Sequence, residues 1–316
     1  MASEKKATRA AYGATLAALY EEGLPVVAVD ADLACSTTTA KFAASSEEAS
    51  KRLFNVGIAE QNMIGVAAGL SLAGQIAFTG SFAVFGTGRV YDQIRNTVCY
   101  PELNVKIAPS HAGISVGPDG GSHQMIEDIA LMRVLPHMRI LVPADYNACV
   151  SALRTAATTQ GPMYVRMGRS AVPSLYDESI SMNLGGSHTL REGKDLTFVA
   201  CGVMVYECMQ AAGLLAQEGI EAEVIDAYSI KPLDEANILA SLKKTGCVVT
   251  AEEHSIIGGL GSAVAELIAE HEACPLERVG MRDEFGTSGE FAELMTHFEL
   301  DAPALVRAAH KALARK

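Results

Sequence analysis

At 316 residues the chain has the length of two ordinary domains, each with its own core. Its hydrophobic share of 49% leaves ample surface to bury, but no uninterrupted apolar run reaches the ~18 residues that would span a membrane. With 25 lysines and arginines against 37 aspartates and glutamates the net charge is -12, which argues against a nucleic-acid partner, because phosphate backbones are gripped by clustered cations. The opening Met1-Ala-Ser-Glu-Lys-Lys6 has no apolar signal core, and the cysteines show neither a C-x-x-C pair nor a zinc spacing, so reduced thiols in a cytoplasm are expected.

In chain order, residues 8–22 carry apolar positions at helical spacing and stop at Gly23. Pro25 to Asp32 is then a continuous apolar run closing on acids, the pattern of a buried strand. The alternation continues with a strand at 52–57, an Ala/Gly-rich helix at 58–73 that has Glu60 near its start, a strand at 75–79 and a helix at 88–99. A strand at 104–109, a helix at 125–135, a strand at 139–142, a helix at 145–158 and a strand at 163–167 complete the first unit. Between Ser170 and Gly193 the periodicity lapses among proline, adjacent glycines and serines. A second unit follows, with strands at 196–201, 221–227 and 247–251, helices at 205–218, 234–245 and 261–270, and a terminal helix at 302–314. Strands alternating with helices imply crossover connections, so the expected class is α/β, two domains of mostly parallel sheet covered by helices. The expected division is a first domain at 1–175, a linker at 176–192 and a second domain at 193–316.

In open parallel sheets ligands bind beyond the carboxyl ends of the strands. Five positions in the first unit meet that condition: Ser36, Glu60, Phe82 with Phe85, His111, and Arg169. The loop from His111 to Gln124 adds Asp119, His123 and four glycines, a composition poor at building core and good at bringing backbone and polar groups close to a ligand. Singly, each residue has an ordinary explanation: a salt bridge for Glu60, core packing for the two rings. Two further segments are set aside. Ile257-Gly-Gly-Leu-Gly-Ser262 lacks the full nucleotide fingerprint and is expected to serve close helix packing. Glu252-Glu-His254 is either an acid–histidine pair or a ligand fragment, and is unassigned.

Gly57-Ile-Ala-Glu-Gln-Asn-Met63, the Gly-Ser-Phe-x-x-Phe85 segment and Gly117-Pro-Asp-Gly-Gly-Ser-His-Gln124, in that order, resemble the transketolase family of thiamine diphosphate enzymes. The resemblance covers nearly the whole chain and implies the family's pyrimidine-binding domain followed by its C-terminal domain. On matching positions it implies that Glu60 hydrogen-bonds N1′ of the cofactor, that Phe82 and Phe85 pack on the pyrimidine, and that Asp119 and His123 reach the hydroxyls and carbonyl of a sugar. It also implies a substrate-phosphate set of Arg9, Ser36, His111 and Arg169, with Arg166 as a rival to Arg169. Guanidinium groups suit that task because their donors form a fork.

A full-length transketolase begins with a domain that holds Mg2+ and the diphosphate, and no counterpart is found before Ala7. The resemblance therefore implies the C-terminal subunit of a split transketolase. Its partner would be an N-terminal subunit supplying the Mg2+ ligands, the assembly would be a heterotetramer, and the reaction would be ketol transfer between sugar phosphates. The rival expectations are a 1-deoxyxylulose-5-phosphate synthase-like enzyme, which would not be expected to match Arg9 and Ser36, and a 2-oxo acid dehydrogenase β-like subunit, which should lack the Asp119–His123 pair. A non-catalytic partner subunit is the third.

Overall fold

Runs of small and β-branched apolar residues such as Val26–Asp30 and Ile76–Gly80 are buried at every position and form the middle of the first sheet. The computed structural model describes residues 5–271 and 273–316; residues 1–4, where the first expected domain begins, and residue 272 lie outside the described residues. The sheet runs Ser229–Lys231, Arg139–Leu141, Met163–Val165, Val105–Ile107, Ile76–Gly80, Val26–Asp30, Leu53–Asn55. All pairings are parallel except that of Ser229–Lys231, which runs antiparallel to Arg139–Leu141. The second sheet runs Leu276–Met281, Val248–Ser255, Leu196–Ala200, Ala222–Asp226, His188–Arg191, with only the last strand antiparallel. This is the expected architecture of two mostly parallel sheets with helices between their strands.

Several details differ from the sequence reading, for local reasons. Residues 188–191, expected in the linker, are an edge strand of the second sheet; an edge needs no continuous apolar run, and His188–Arg191 has none. Residues 229–231 leave the second domain to add an edge to the first sheet. The expected helix at 88–99 is a short helix, Tyr91–Gln93, between two wide π-type turns, Val84–Gly88 and Ile94–Cys99. That expected at 125–135 is shortened to Asp128–Arg133. Strand Leu276–Met281 and helix Phe291–His297 lie in a stretch where the sequence had no clear period.

The two domains share one apolar core, in which Ile140 and Tyr164 of the first sheet and Val142 just past it group with Val199 and Leu260 of the second domain and with Ile230 of the edge strand that domain adds. Buried polar groups reinforce the boundary. Arg166, 4% exposed, donates from Nε to Asp128 at 2.7 Å and from Nη2 to the Glu253 carbonyl at 3.1 Å. The remaining members of the unassigned 252–254 segment are also structural. Glu252 accepts from the backbone N–H groups of Leu260 (2.7 Å) and Gly261 (2.8 Å), so the chain's own carboxylate fills the N-terminus of helix Leu260–His271. His254 donates from Nδ1 to the Ser255 carbonyl at 2.7 Å and accepts at Nε2 from Ala130 N–H at 3.3 Å. The glycine loop before that helix therefore serves packing: a Cβ on Gly259 would lie 2.1 Å from Glu252.

Asp226 ends strand Ala222–Asp226 of the second sheet under the linker, where Tyr176 Oη donates to its Oδ2 at 2.7 Å while Oδ1 is buried without a partner. Burial pushes this carboxyl up to about 8, against the Tyr176 hydrogen bond. In the unfolded chain it ionises near pH 4, so its stabilising share is complete below that pH and is lost as pH rises through 8, at up to about 1.4 kcal/mol per unit. Asp226→Asn is accordingly expected to lose less stability than the parent between pH 5 and pH 8. Denaturant midpoints at the two pH values check this, and equal losses would refute it.

Candidate active site

The antiparallel ribbon of Lys5–Ala7 with Ala171–Pro173 sets the first pair of site residues. Its register opposes Ala7 to Ala171, and continuing it by two residues brings Arg9 across from Arg169. Thr8 and Gly168 hold that continuation, the Gly168 N–H donating to Thr8 Oγ1 at 2.8 Å. Arg9 reaches the next loop by donating to the Ser36 carbonyl at 2.8 Å. That loop is pinned from below by Asp30 at the end of its strand, which accepts from Leu33 N–H (2.6 Å) and from the Thr37 (2.9 Å) and Thr39 (2.8 Å) hydroxyls. It is thus the carbonyl of Ser36 that Arg9 contacts. Arg9 is held below its ordinary value by burial and by the facing charge of Arg169, against the raising influence of Asp119. Two arginines set across from each other by the ribbon register, with one exposed carboxylate nearby, make a locally cationic spot in an acidic protein.

His111 occupies the next strand end in a left-handed backbone conformation, φ 63°, a strained state for a non-glycine residue that recurs at functional sites. The strain is balanced by a Ser110 Oγ–Nδ1 hydrogen bond at 2.8 Å and by stacking on Phe82 with ring centres 3.7 Å apart. Burial first, then the charges of Arg9, Arg169 and His123, lower the His111 imidazole to about 3. It is therefore neutral at physiological pH, and its ring can offer a neighbouring group a hydrogen bond but no charge. His123 lies edge-on to Phe85 at 5.5 Å and to Phe82 at 6.2 Å, its Nδ1 3.0 Å from Ser122 Oγ. Asp119 is exposed on the same loop.

Glu60 is the first residue of helix Glu60–Leu72, a position where the helix dipole favours an acid. The entry is shaped by Asn55, whose side-chain oxygen accepts from Gly57 N–H at 2.9 Å. Glu60 is 4% exposed, and both of its carboxylate oxygens accept from Arg89 Nη1 at 3.0 Å. The Arg89 guanidinium also lies over the Phe85 ring, 4.2 Å from its centre, which ties the carboxylate to the aromatic pair. Phe82 and Phe85 are themselves stacked, 6.2 Å apart.

Arg9, Ser36, Glu60, Phe82, Phe85, His111, Asp119, His123 and Arg169 all stand at or beyond the carboxyl ends of the first sheet, linked by the contacts above. Arg166 does not join them; it points into the domain boundary, whereas Arg169 donates to the Val116 carbonyl at 3.0 Å on the loop side. Sequence reasoning missed Arg89. Its signal was a lone cation in a Gly/Thr turn after Phe85, with no indication of a partner 29 residues earlier.

Residues 4–174 match the family model described as Transketolase, pyrimidine binding domain, and residues 185–305 that described as Transketolase, C-terminal domain. A putative transketolase C-terminal section from Methanocaldococcus jannaschii is 46% identical over 96% of this chain and 95% of its own length. The 6-deoxy-6-sulfo-D-fructose transketolase subunit SqwH of a Clostridium species is 44% identical over 92% of this chain and 89% of its own. A solved structure described as a split gene transketolase, inactive beta4 tetramer, superimposes with a TM-score of 0.90 at 48% identity, covering 99% of this chain and 100% of the other.

Proposed function

The chain belongs to the transketolase family, and from that premise we propose that it is the C-terminal subunit of a two-chain transketolase, moving a two-carbon ketol unit from a ketose phosphate to an aldose acceptor. The observation that carries this reading is the arginine pair: the ribbon register sets Arg9 across from Arg169, and the charges of both bear on His111, on the same sheet edge as Glu60 and the Phe82–Phe85 pair. An anion site and an aromatic–carboxylate site side by side suit a phosphosugar next to a heteroaromatic cofactor. The presence of Arg9 and Ser36, which a 1-deoxyxylulose-5-phosphate synthase-like enzyme would not be expected to match, favours ketol transfer.

The donor set fits the pyrimidine of thiamine diphosphate: a buried carboxylate for a ring nitrogen, two stacked rings for its face. When bound with Mg2+, that cofactor supplies the electron sink for carbon–carbon cleavage. Glu60 would hold a proton at N1′, and Phe82 and Phe85 would pack on the ring. His123 and Asp119 bind the sugar hydroxyls and carbonyl, His123 moving a proton there. Arg9, Arg169, His111 and Ser36 hold the donor phosphate.

The partner is an N-terminal subunit that carries the diphosphate and Mg2+ ligands, in a cytoplasmic heterotetramer. Both a relative that is itself named as a transketolase subunit and an uncovered face support it. On helix Glu60–Leu72, Gly65 and Gly69 have nothing within 4 Å of a Cβ, so this chain alone has no packing need for two glycines that each cost about 1 kcal/mol in a helix. Ile58 and Leu72 flank them, 78% and 75% exposed. Co-expression with such a subunit and an activity screen over sugar phosphates tests the proposal; a soluble, stoichiometric complex with no ketol transfer would overturn it.

Arg169→Ala in that assembly is expected to raise KM for phosphorylated donors by about a hundredfold, the loss of a charge-assisted pair, and to change KM for an unphosphorylated donor by less than about threefold. Steady-state kinetics on the two donor types decides, and equal weakening of both would make Arg169 structural.

A further inference from the structure

The C-terminal domain contributes no side chain to the chemistry above, yet its loop at 286–289 lies directly against the loop that carries Asp119 and His123. A Cβ on Gly120 would lie 2.5 Å from Ser288 Oγ, and one on Gly121 would lie 2.4 Å from the Gly286 carbonyl oxygen. Gln124 joins the two loops. It is 4% exposed, and the two N–H groups of its Nε2 are shared among three carbonyls, those of Gly117 (3.2 Å) and Ile114 (3.4 Å) and, across the domain boundary, that of Thr287 (2.9 Å). From the other side, a Cβ on Gly286 would lie 1.7 Å from Gln124 Oε1. One buried amide thus fastens both ends of the 117–123 loop to each other and to the second domain.

We propose that Gln124 is a positioning residue, through which the C-terminal domain fixes the 117–123 loop and so the placement of Asp119 and His123 toward substrate. The inference rests on the reading of those two residues as substrate contacts. The physical content is the N–H donors. Methionine keeps the length and apolar bulk of glutamine but cannot donate, and glutamate turns an acceptor toward three carbonyl oxygens. If Gln124 only filled space, Gln124→Met would behave as the parent.

The test has two arms. On the chain alone, hydrogen–deuterium exchange is read for the segment 117–124 in Gln124→Met, Gln124→Glu and Gly286→Ala. Faster exchange there by about tenfold, with the core strands unchanged, is expected for the loss of buried hydrogen bonds. In the assembled two-chain enzyme, Gln124→Met should raise KM for a ketose donor by about tenfold and change the dissociation constant for thiamine diphosphate by less than about twofold, since the Glu60 side is untouched. Asp119→Ala and His123→Ala are run beside it. If they impair donor use while Gln124→Met exchanges and turns over as the parent, the positioning role is overturned and the functional reading stands. If they leave donor use unchanged, the functional reading fails first, and the exchange arm still decides whether Gln124 fastens the loop.

Discussion

Replacing Glu60 by alanine is expected to leave the fold intact and to lower kcat of the assembled enzyme by about 10²- to 10⁴-fold, the range of a lost acid–base group. The fold should survive because the partner of the carboxylate is Arg89, which is 47% exposed and can return to water when its counter-ion goes. The position begins helix Glu60–Leu72, whose inner face rests on Met63, Ile64, Ala67 and Ala68, none of which the substitution touches. Catalysis should not survive, because no other carboxylate among the described residues contacts Arg89 or the Phe85 ring to take over the proton at N1′. Cofactor affinity should fall less than kcat, since Phe82 and Phe85 keep their stacked arrangement. Thermal melting together with steady-state kinetics checks both halves. Retention of more than about a tenth of parental kcat, a loss under ~1.4 kcal/mol, would remove Glu60 from the proposed chemistry.

How much of this was legible in the sequence depended on whether a residue's role is set by its neighbours in the chain or by distant ones. The strands Val26–Asp30 and Ile76–Gly80 announce themselves as uninterrupted apolar runs, and helix Tyr146–Thr158 as a periodic one behind an Asp145 cap. The short helices Ala34–Thr37, Thr39–Ala43 and Glu47–Ser50 span at most five residues, too few for a period, and the first two are shaped by the buried Asp30 carboxylate. Ser36, Glu60, Phe82, Phe85, His111 and Arg169 were legible because a parallel sheet presents its strand ends along one edge, a rule that needs only the order of elements, whereas Arg9 and the pairing of Asp119 with His123 entered through the family resemblance. Arg166 and Arg169 could not be separated that way. They are three residues apart after the same strand, and what turns Arg166 inward is Asp128 and Glu253, one of them in the other domain. Arg89 and Gln124 were hidden for the same reason, since the Glu60 carboxylate and the Thr287 carbonyl that define them are remote in sequence.

Purified alone, the chain is expected to bind thiamine diphosphate with an affinity at least about a hundredfold below that of the mixed subunits, because the best-held part of such a ligand is its diphosphate with the metal ion around it. The cations on this side have other work: Arg89 is ion-paired with Glu60, and Arg9 and Arg169 are the pair assigned above to the substrate phosphate. Against a net charge of -12 they leave little attraction for a ligand with two phosphates. What the chain does offer is a carboxylate and two rings, a contact worth one hydrogen bond and one stacking pair, each about 1 kcal/mol. The same isolation should leave Ile58, Leu72 and the open glycines Gly65 and Gly69 in water, an apolar strip that favours self-association. Adding the partner should then do two things together: break the self-association, seen by sedimentation, and raise cofactor affinity, seen by calorimetric titration with thiamine diphosphate and Mg2+. Tight stoichiometric binding by the chain alone, accompanied by ketol transfer, would show that the diphosphate half of the site is not on another subunit.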